Sequence, residues 1–190
     1  MFIEYNGRSY NIELPKERLR VGSPLAISHV LSIETKAIAK VLEECKSRGV
    51  FVDVGASEGI WTINMAKVFE RVISFEPHPL SFEVLEKNTA NLRNVVIYNY
   101  ALSDTYIETY RMIEWDQNYG MTKRFVGDEI DQALLNVEKQ KTFVTKSYPL
   151  DDIVDRIDCM KIDAEGQDEN VLAGASQLIK ECNPYIHRDI

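Results

Sequence analysis

The stretch Val50-Phe51-Val52-Asp53-Val54-Gly55-Ala56-Ser57-Glu58-Gly59-Ile60-Trp61-Thr62-Ile63 constrains this chain more than any other. It opens as an apolar, β-branched run, the pattern of a strand buried on both faces. It breaks at Gly55 and Gly59, then continues over 60–69 in a helix-compatible order. Strand, tight glycine turn and helix predict the opening of a βαβ unit. The glycines let the backbone turn sharply and approach a ligand with no Cβ in between. The helix start is expected to offer free N–H groups to a polar or anionic group there.

Asp53 stands at the end of that strand. A second apolar run, Arg71-Val72-Ile73-Ser74-Phe75, ends in Glu76-Pro77 about twenty residues on, where an acid meets the ribose hydroxyls of an adenosine cofactor. The same spacing also suits a purely structural βαβ unit with Glu76 as a solvated strand end. A dinucleotide turn usually reads G-x-G-x-x-G, but Ser57 fills the middle glycine position here. Asp53 would repel a pyrophosphate and suits a cationic amino group instead. The pattern points away from NAD and towards S-adenosylmethionine.

A chain of 190 residues, 45% hydrophobic and 27% charged, has the size and composition of one globular domain spanning 1–190. Its net charge of −8 comes with no stripe of lysine or arginine, which disfavours a nucleic-acid partner. Cys45, Cys159 and Cys182 are odd in number and lack C-x-x-C spacing. They read as free thiols of a reducing compartment, with neither a disulfide framework nor a metal site. No run is long and apolar enough to span a membrane and no signal-peptide pattern opens the chain, so the expected location is cytoplasmic, with no membrane partner.

Taken in order, Asn6-Gly7 predicts a two-residue hairpin, with 1–31 as hairpin and connector. Ile33, Ala37, Ile38, Val41, Leu42 and Cys45 recur at helical spacing from Ser32, with Gly49 as the stop. Pro77-His78-Pro79 starts a second crossover helix, buried through Phe82, Leu85, Thr89 and Leu92, and 95–101 reads as the third strand. The fold class expected is α/β, a doubly wound, mostly parallel sheet whose strands end along one rim. Residues 105–147 break the rhythm and read as a substrate lid. Short strands are expected around Tyr106, Ile107, Tyr110 and Met112, a loop over 115–120 and a surface helix over 128–141. Pro149-Leu150-Asp151-Asp152 then reads as a helix start, 157–163 as a fourth strand, Val171 to Ile179 as one helical face and 184–190 as a fifth strand.

The fourth strand carries Lys161, Asp163 and Glu165 at its carboxyl end. Charge in a central parallel strand is costly unless it is paired or used. The cluster is therefore either catalytic or an internal Lys161–Asp163 ion pair that fixes the strand end. His187 is a rival near the same rim, whereas His78 and His29 read as surface or packing residues. Asn183-Pro184-Tyr185 lacks the second proline of the amino-methylating box and is set aside. Trp61 and Trp115 could stack on a sugar face, although aromatics in such patterns usually fill cores.

Asp53-Val54-Gly55-Ala56-Ser57-Glu58-Gly59 with Thr62, and Phe75-Glu76-Pro77, resemble the cofactor motifs of FkbM-type methyltransferases. So do Asn88, Ala101-Leu102-Ser103-Asp104, Leu150-Asp151-Asp152, and Lys161-Ile162-Asp163-Ala164-Glu165-Gly166 with Val171-Leu172-Ala173-Gly174-Ala175. The resemblance implies a class I, Rossmann-like fold that transfers the methyl of S-adenosylmethionine to a hydroxyl of a sugar or other small molecule. It also implies site roles. Gly55, Ala56, Ser57 and Gly59 would form the turn beneath the methionine moiety, with Asp53 near its ammonium and Thr62 anchoring the helix start. Glu76, with Pro77 beside it, would hold the ribose; Ala101 and Leu102 would wall the adenine, with Ser103 or Asp104 near its amino group. Asp163, then Glu165, would accept the hydroxyl proton, with Lys161 tuning or orienting. Three departures stand out: Ser57 in place of Asn, Asp189 in place of Glu, and no carboxyl-terminal antiparallel hairpin, from which the expectation is either a second copy covering the edge of the fifth strand or a shortened form of the sequence. The alternatives carried forward are an NAD-linked oxidoreductase, a cofactor-binding domain without turnover, and an RNA methyltransferase.

Overall fold

The computed structural model describes residues 2–17, 24–114, 122–125 and 141–188. Strands β1 (Phe2–Tyr5) and β2 (Arg8–Asn11) pair antiparallel around Asn6 and Gly7. Both turn residues have positive φ, +48° and +74°, as a two-residue hairpin loop of this hand requires. Helix α1 (Pro24–Glu44) starts eight residues earlier than the apolar spacing suggested, with proline at its first position, where no N–H is needed.

The core follows as β3 (Val50–Val54), α2 (Ile60–Met65), β4 (Arg71–Phe75), α3 (Pro79–Thr89) and β5 (Val95–Tyr98). After an interruption come β10 (Cys159–Ile162), α4 (Asp168–Ala173), α5 (Ser176–Cys182) and β11 (Tyr185–Arg188). The sheet is parallel throughout, in the order β11-β10-β3-β4-β5. Alternate residues of each strand face opposite sides, so the sheet separates two apolar layers. Phe51, Val72 and Cys159 pack with Ile38, Val41, Trp61 and Met65 of α1 and α2. Val52, Val54, Ile73, Phe75, Met160 and Ile162 pack with Leu150, Val171 and Leu178 on the other face. The strand order reverses between β3 and β10, and in such a sheet ligands dock where it does.

The interruption forms a second sheet of β6 (Ala101–Leu102), β7 (Ile107–Glu114), β8 (Thr122–Phe125) and β9 (Lys141–Tyr148), in the order β6-β9-β7-β8. This corrects two expectations. The third core strand stops at Tyr98 instead of running to Ala101, because the Asn99 side chain turns the chain out of the sheet. Its Nδ2 donates to the carbonyls of Glu76 (2.9 Å) and Pro77 (3.3 Å). The residues around Tyr106 to Met112 yield one long strand, β7, with an irregularity in its pairing with β9 between Ile107 and Tyr110. The loop expected over 115–120 lies outside the described residues, as does all of the helix expected over 128–141 except Lys141, which opens β9.

Leu150-Asp151-Asp152 is a single 3-10 turn, not the start of a longer helix. The Asp151 carboxylate caps a different element, accepting the N–H groups of Gln177 (3.0 Å) and Leu178 (3.0 Å) at the start of α5. The helical face expected from Val171 to Ile179 is split into α4 and α5 at Gly174. A Cβ on Gly174 would lie 2.0 Å from the Ser103 carbonyl oxygen. Helix, turn and β6 thus meet backbone to backbone. Gly174→Ala is expected to cost at least 2 kcal/mol, in the range of overpacked cores. Gly166→Ala, with open space around its Cβ but a φ of +87°, should cost about 1 kcal/mol. Urea denaturation of the two variants checks this ordering.

Candidate functional site

The glycine turn follows β3 and lies against the end of β10. Gly55 has a φ of +74°, and a Cβ there would sit 2.0 Å from the Asp163 carbonyl oxygen. Only glycine allows this approach. The N–H groups of Gly55 and Ala56 both donate to the Phe75 carbonyl at 3.0 Å. That of Gly59 donates to Ala56 O at 2.9 Å, and that of Ser57 to Glu76 Oε2 at 2.7 Å. These four are spent on the protein itself, so the turn is no nest for an anion.

Beneath the turn lies a buried polar layer. Lys161, 2% exposed, donates from Nζ to the carbonyls of Gly55 (2.8 Å) and Val54 (3.3 Å). The same ammonium stands 3.6 Å from Asp53 Oδ1 and 3.7 Å from Asp163 Oδ2. Asp53 is fully buried, and its Oδ2 accepts the Thr62 hydroxyl at 2.7 Å, with Ser74 Oγ 2.8 Å from the same hydroxyl. Burial raises the Asp53 carboxyl above its ordinary range, and the Lys161 charge opposes that shift. Lys161 therefore knits β10 to the turn from below and does not line the cleft above it. Of the sequence-derived readings of this lysine, the internal ion pair matches the geometry.

The cleft spans about 640 Å³ of space that includes open solvent. Gly55, Ser57, Glu76, Pro77, Ala101, Leu102, Asp163 and Glu165 line it. Asp53, Ala56, Gly59, Thr62 and Ser103 do not; they stand behind the lining as its support. Ser103 is fully buried, with its N–H on Tyr148 O (3.0 Å) and its hydroxyl donating to Asp104 Oδ1 (3.0 Å). Tyr100, Tyr110, Met112 and Gln167 complete the walls and were missed from sequence. The alternation of Tyr110 and Met112 signals a shared strand face, but nothing in the chain says which cavity that face closes.

Glu76 is the charged group held most firmly at the cleft. Only 5% exposed, it accepts N–H groups with both oxygens, Oε2 from Ser57 and Oε1 from His78 (2.8 Å). Burial lifts its carboxyl to about 7, against the pull of those two donors. Glu165 has a φ of +49° in the loop that also carries Asp163, an unusual backbone conformation for a non-glycine residue at a cavity wall.

The histidines are elsewhere. His187 stacks its ring near Trp61 (5.2 Å) on the α1 face. His78 is buried as the N-cap of α3, its Nδ1 accepting the Ser81 N–H. Trp61 is a core residue whose Nε1 donates to Glu34 (2.6 Å). Trp115 and the side chain of His29 lie outside the described residues.

Residues 53–188 match the Methyltransferase FkbM domain. The chain belongs to the FkbM methyltransferase family. Its fold is similar to that of an FkbM methyltransferase from Methylobacillus flagellatus, with a TM-score of 0.50 and 21% identity over 73% of this chain. The match covers 32% of the Methylobacillus protein, so this chain spans about a third of its length. A precorrin-6y C5,15-methyltransferase from Geobacter metallireducens matches with a TM-score of 0.42 and 14% identity, over 74% of this chain and 54% of its own. A SAM-dependent methyltransferase from Leishmania major matches with a TM-score of 0.35 and 18% identity, over 40% and 32%. No curated protein matches the sequence at a significant level. The family confirms the class I, Rossmann-like architecture inferred from the motifs and makes S-adenosylmethionine the group against which this cleft is judged.

Two outcomes follow for the FkbM-type cleft. Lys161→Met leaves Asp53 buried without its cation, and such breaks typically cost 3–5 kcal/mol. Lys161→Met with Asp53→Asn should recover much of the loss in urea denaturation. Glu76 binds its proton more tightly folded than unfolded, so its contribution is complete below about pH 4.5 and fades as pH rises through about 7. Relative to wild type, Glu76→Gln should therefore gain stability between pH 5 and 8, by up to about 3 kcal/mol, read as the difference in thermal stability across that range.

Proposed function

We propose that this chain binds S-adenosylmethionine in the cleft and methylates a hydroxyl of a sugar, glycan or other small molecule. The observation that carries the reading is the buried Glu76 carboxylate at the end of β4, beside a turn whose N–H groups are already spent. A pyrophosphate would meet a carboxylate, with the Gly55, Ala56, Ser57 and Gly59 N–H groups already engaged, which disfavours the NAD-linked alternative. A ribose diol and a cation meet an acceptor and negative charge. The residues present thus fit the methyl donor.

Glu76 would accept hydrogen bonds from the ribose hydroxyls, and Ala101 and Leu102, with Tyr100, Tyr110 and Met112, would enclose the adenine. The bound donor supplies a methyl already made electrophilic by its sulfonium. The chain's own task is then to hold the acceptor oxygen in line and exclude water. Asp163, which lines the same cleft, would take the hydroxyl proton on a carboxylate oxygen as the acceptor reacts, with Glu165 the second candidate. Lys161 supports this arrangement from beneath and touches neither ligand. The free thiols of Cys45, Cys159 and Cys182 accord with a cytoplasmic location.

Calorimetric titration tests the donor site. S-adenosylhomocysteine should bind at micromolar concentrations and NAD should not; the reverse result overturns the reading. Affinity should rise as pH climbs through about 7, where Glu76 ionises and becomes a full acceptor, and Glu76→Gln should weaken binding about tenfold and flatten that dependence. With a panel of labelled-methyl acceptors, Asp163→Asn should lower kcat by about 100-fold or more while product-cofactor affinity stays within a few-fold. Equal turnover by Asp163→Asn would move the proton acceptor to Glu165.

A further inference from the structure

The sequence singles out Asn88, yet Asn88 does not line the cleft. It sits on α3 with all its amide capacity in use. Its Oδ1 accepts the backbone N–H groups of Lys16 (3.1 Å) and Glu17 (3.0 Å). Its Nδ2 donates to the carbonyl of Glu17 (3.1 Å) and to that of Glu58 (2.8 Å). Glu58 belongs to the cofactor turn, between Ser57 (φ +50°) and Gly59 (φ +92°). One side chain therefore binds a segment from the amino terminus and the turn together.

A second asparagine repeats the device. Asn64 on α2 accepts the Glu13 N–H (2.8 Å) and donates to the carbonyls of Glu13 (2.8 Å) and Ile60 (2.7 Å). Between the two asparagines the segment 12–17 crosses α2 and α3 like a strap. Ile12 is wholly buried in the layer with Phe51 and Trp61, and Glu13 pairs with Lys67 (3.0 Å). Main-chain recognition by two amides, together with the buried side chains of Ile12 and Pro15, seats the strap.

We propose that this strap is a positioning element for the methyl-donor site, acting through Asn88. Ser57 holds a left-handed conformation that a non-glycine residue rarely adopts, and a restraint on the adjacent Glu58 carbonyl helps to keep it there. With the strap seated, Asn88 holds the Glu58 carbonyl, the turn keeps its shape, and the Ser57 N–H stays on Glu76. With the strap lifted, Asn88 loses three of its four partners and is free to rotate away from Glu58. Strap seating and donor binding are then linked, and linkage is reciprocal: each must strengthen the other.

The inference rests on the donor-site reading, and the test separates the two. Amide hydrogen exchange of the wild-type chain is followed with and without S-adenosylhomocysteine. Protection of the Glu13, Lys16 and Glu17 amides should rise several-fold on binding, while the Ser9 and Tyr10 amides of the hairpin stay unchanged. Asn88→Asp keeps the acceptor for the Lys16 and Glu17 N–H groups but loses the donor to the Glu17 and Glu58 carbonyls. It should weaken S-adenosylhomocysteine roughly five- to tenfold with a folded circular-dichroism spectrum retained. If the wild type binds and the strap amides do not respond, or if Asn88→Asp binds as wild type does, the strap is only structural. If the wild type binds no S-adenosylhomocysteine, the donor site itself falls and this role with it. Should Asn88→Asp fail to fold, the wild-type exchange result decides alone.

Discussion

Strands β3 and β10 end so close together that the chain leaving one can pass the other only where a side chain is absent. Gly55 occupies that point, against the Asp163 carbonyl. The rest of the cleft depends on this contact. It brings the Val54 and Gly55 carbonyls within reach of Lys161, and it folds the turn back until its N–H groups find Phe75 O and Glu76. A turn satisfied in this way cannot also cradle an anion. The same backbone geometry that closes the sheet's switch point therefore restricts what can bind above it.

Charge strengthens that restriction. Burial raises both Asp53 and Glu76, and a single ammonium, that of Lys161, stands between Asp53 and Asp163. Desolvated acid at the base of a cleft is costly without a counter-charge. Lys161 supplies part of it from below. A cationic ligand arriving from above would supply more, whereas an anionic one would add to the cost. The charge distribution that results from how β3 and β10 are joined thus suits a cation better than an anion.

What was legible in the sequence is what local chemistry dictates. The turn, Glu76 at the following strand end, the Asn6-Gly7 hairpin and the parallel α/β order all follow from sterics and periodicity within a few residues. What escaped depends on partners far along the chain. Lys161 reads as a charge in a strand until the turn it supports is seen 106 residues away. Asp151 reads as the first turn of its own helix and instead caps one 26 residues later. The end of β5 was masked because apolar alternation runs through Asn99, whose side chain breaks the strand by bonding two carbonyls across the sheet. Periodicity registers side-chain polarity but not which backbone a side chain will reach.

The inserted segment gives the last step. It reads from sequence as acceptor recognition, and two residues of its β7, Tyr110 and Met112, are buried with Ala101 and line the cleft. Their burial makes them part of the wall that would enclose the adenine, a surface set by the donor and shared by any acceptor. The loop carrying Asp163, Glu165 and Gln167 lines the cleft as well. That loop holds two successive positive φ angles, at Glu165 and Gly166, and open space around Gly166. A backbone so shaped presents its side chains on a tight left-handed corner outside the sheet. Under the proposed reading, the rigid junction of β3, β4 and β10 would hold the donor, and the choice of acceptor would fall to this corner.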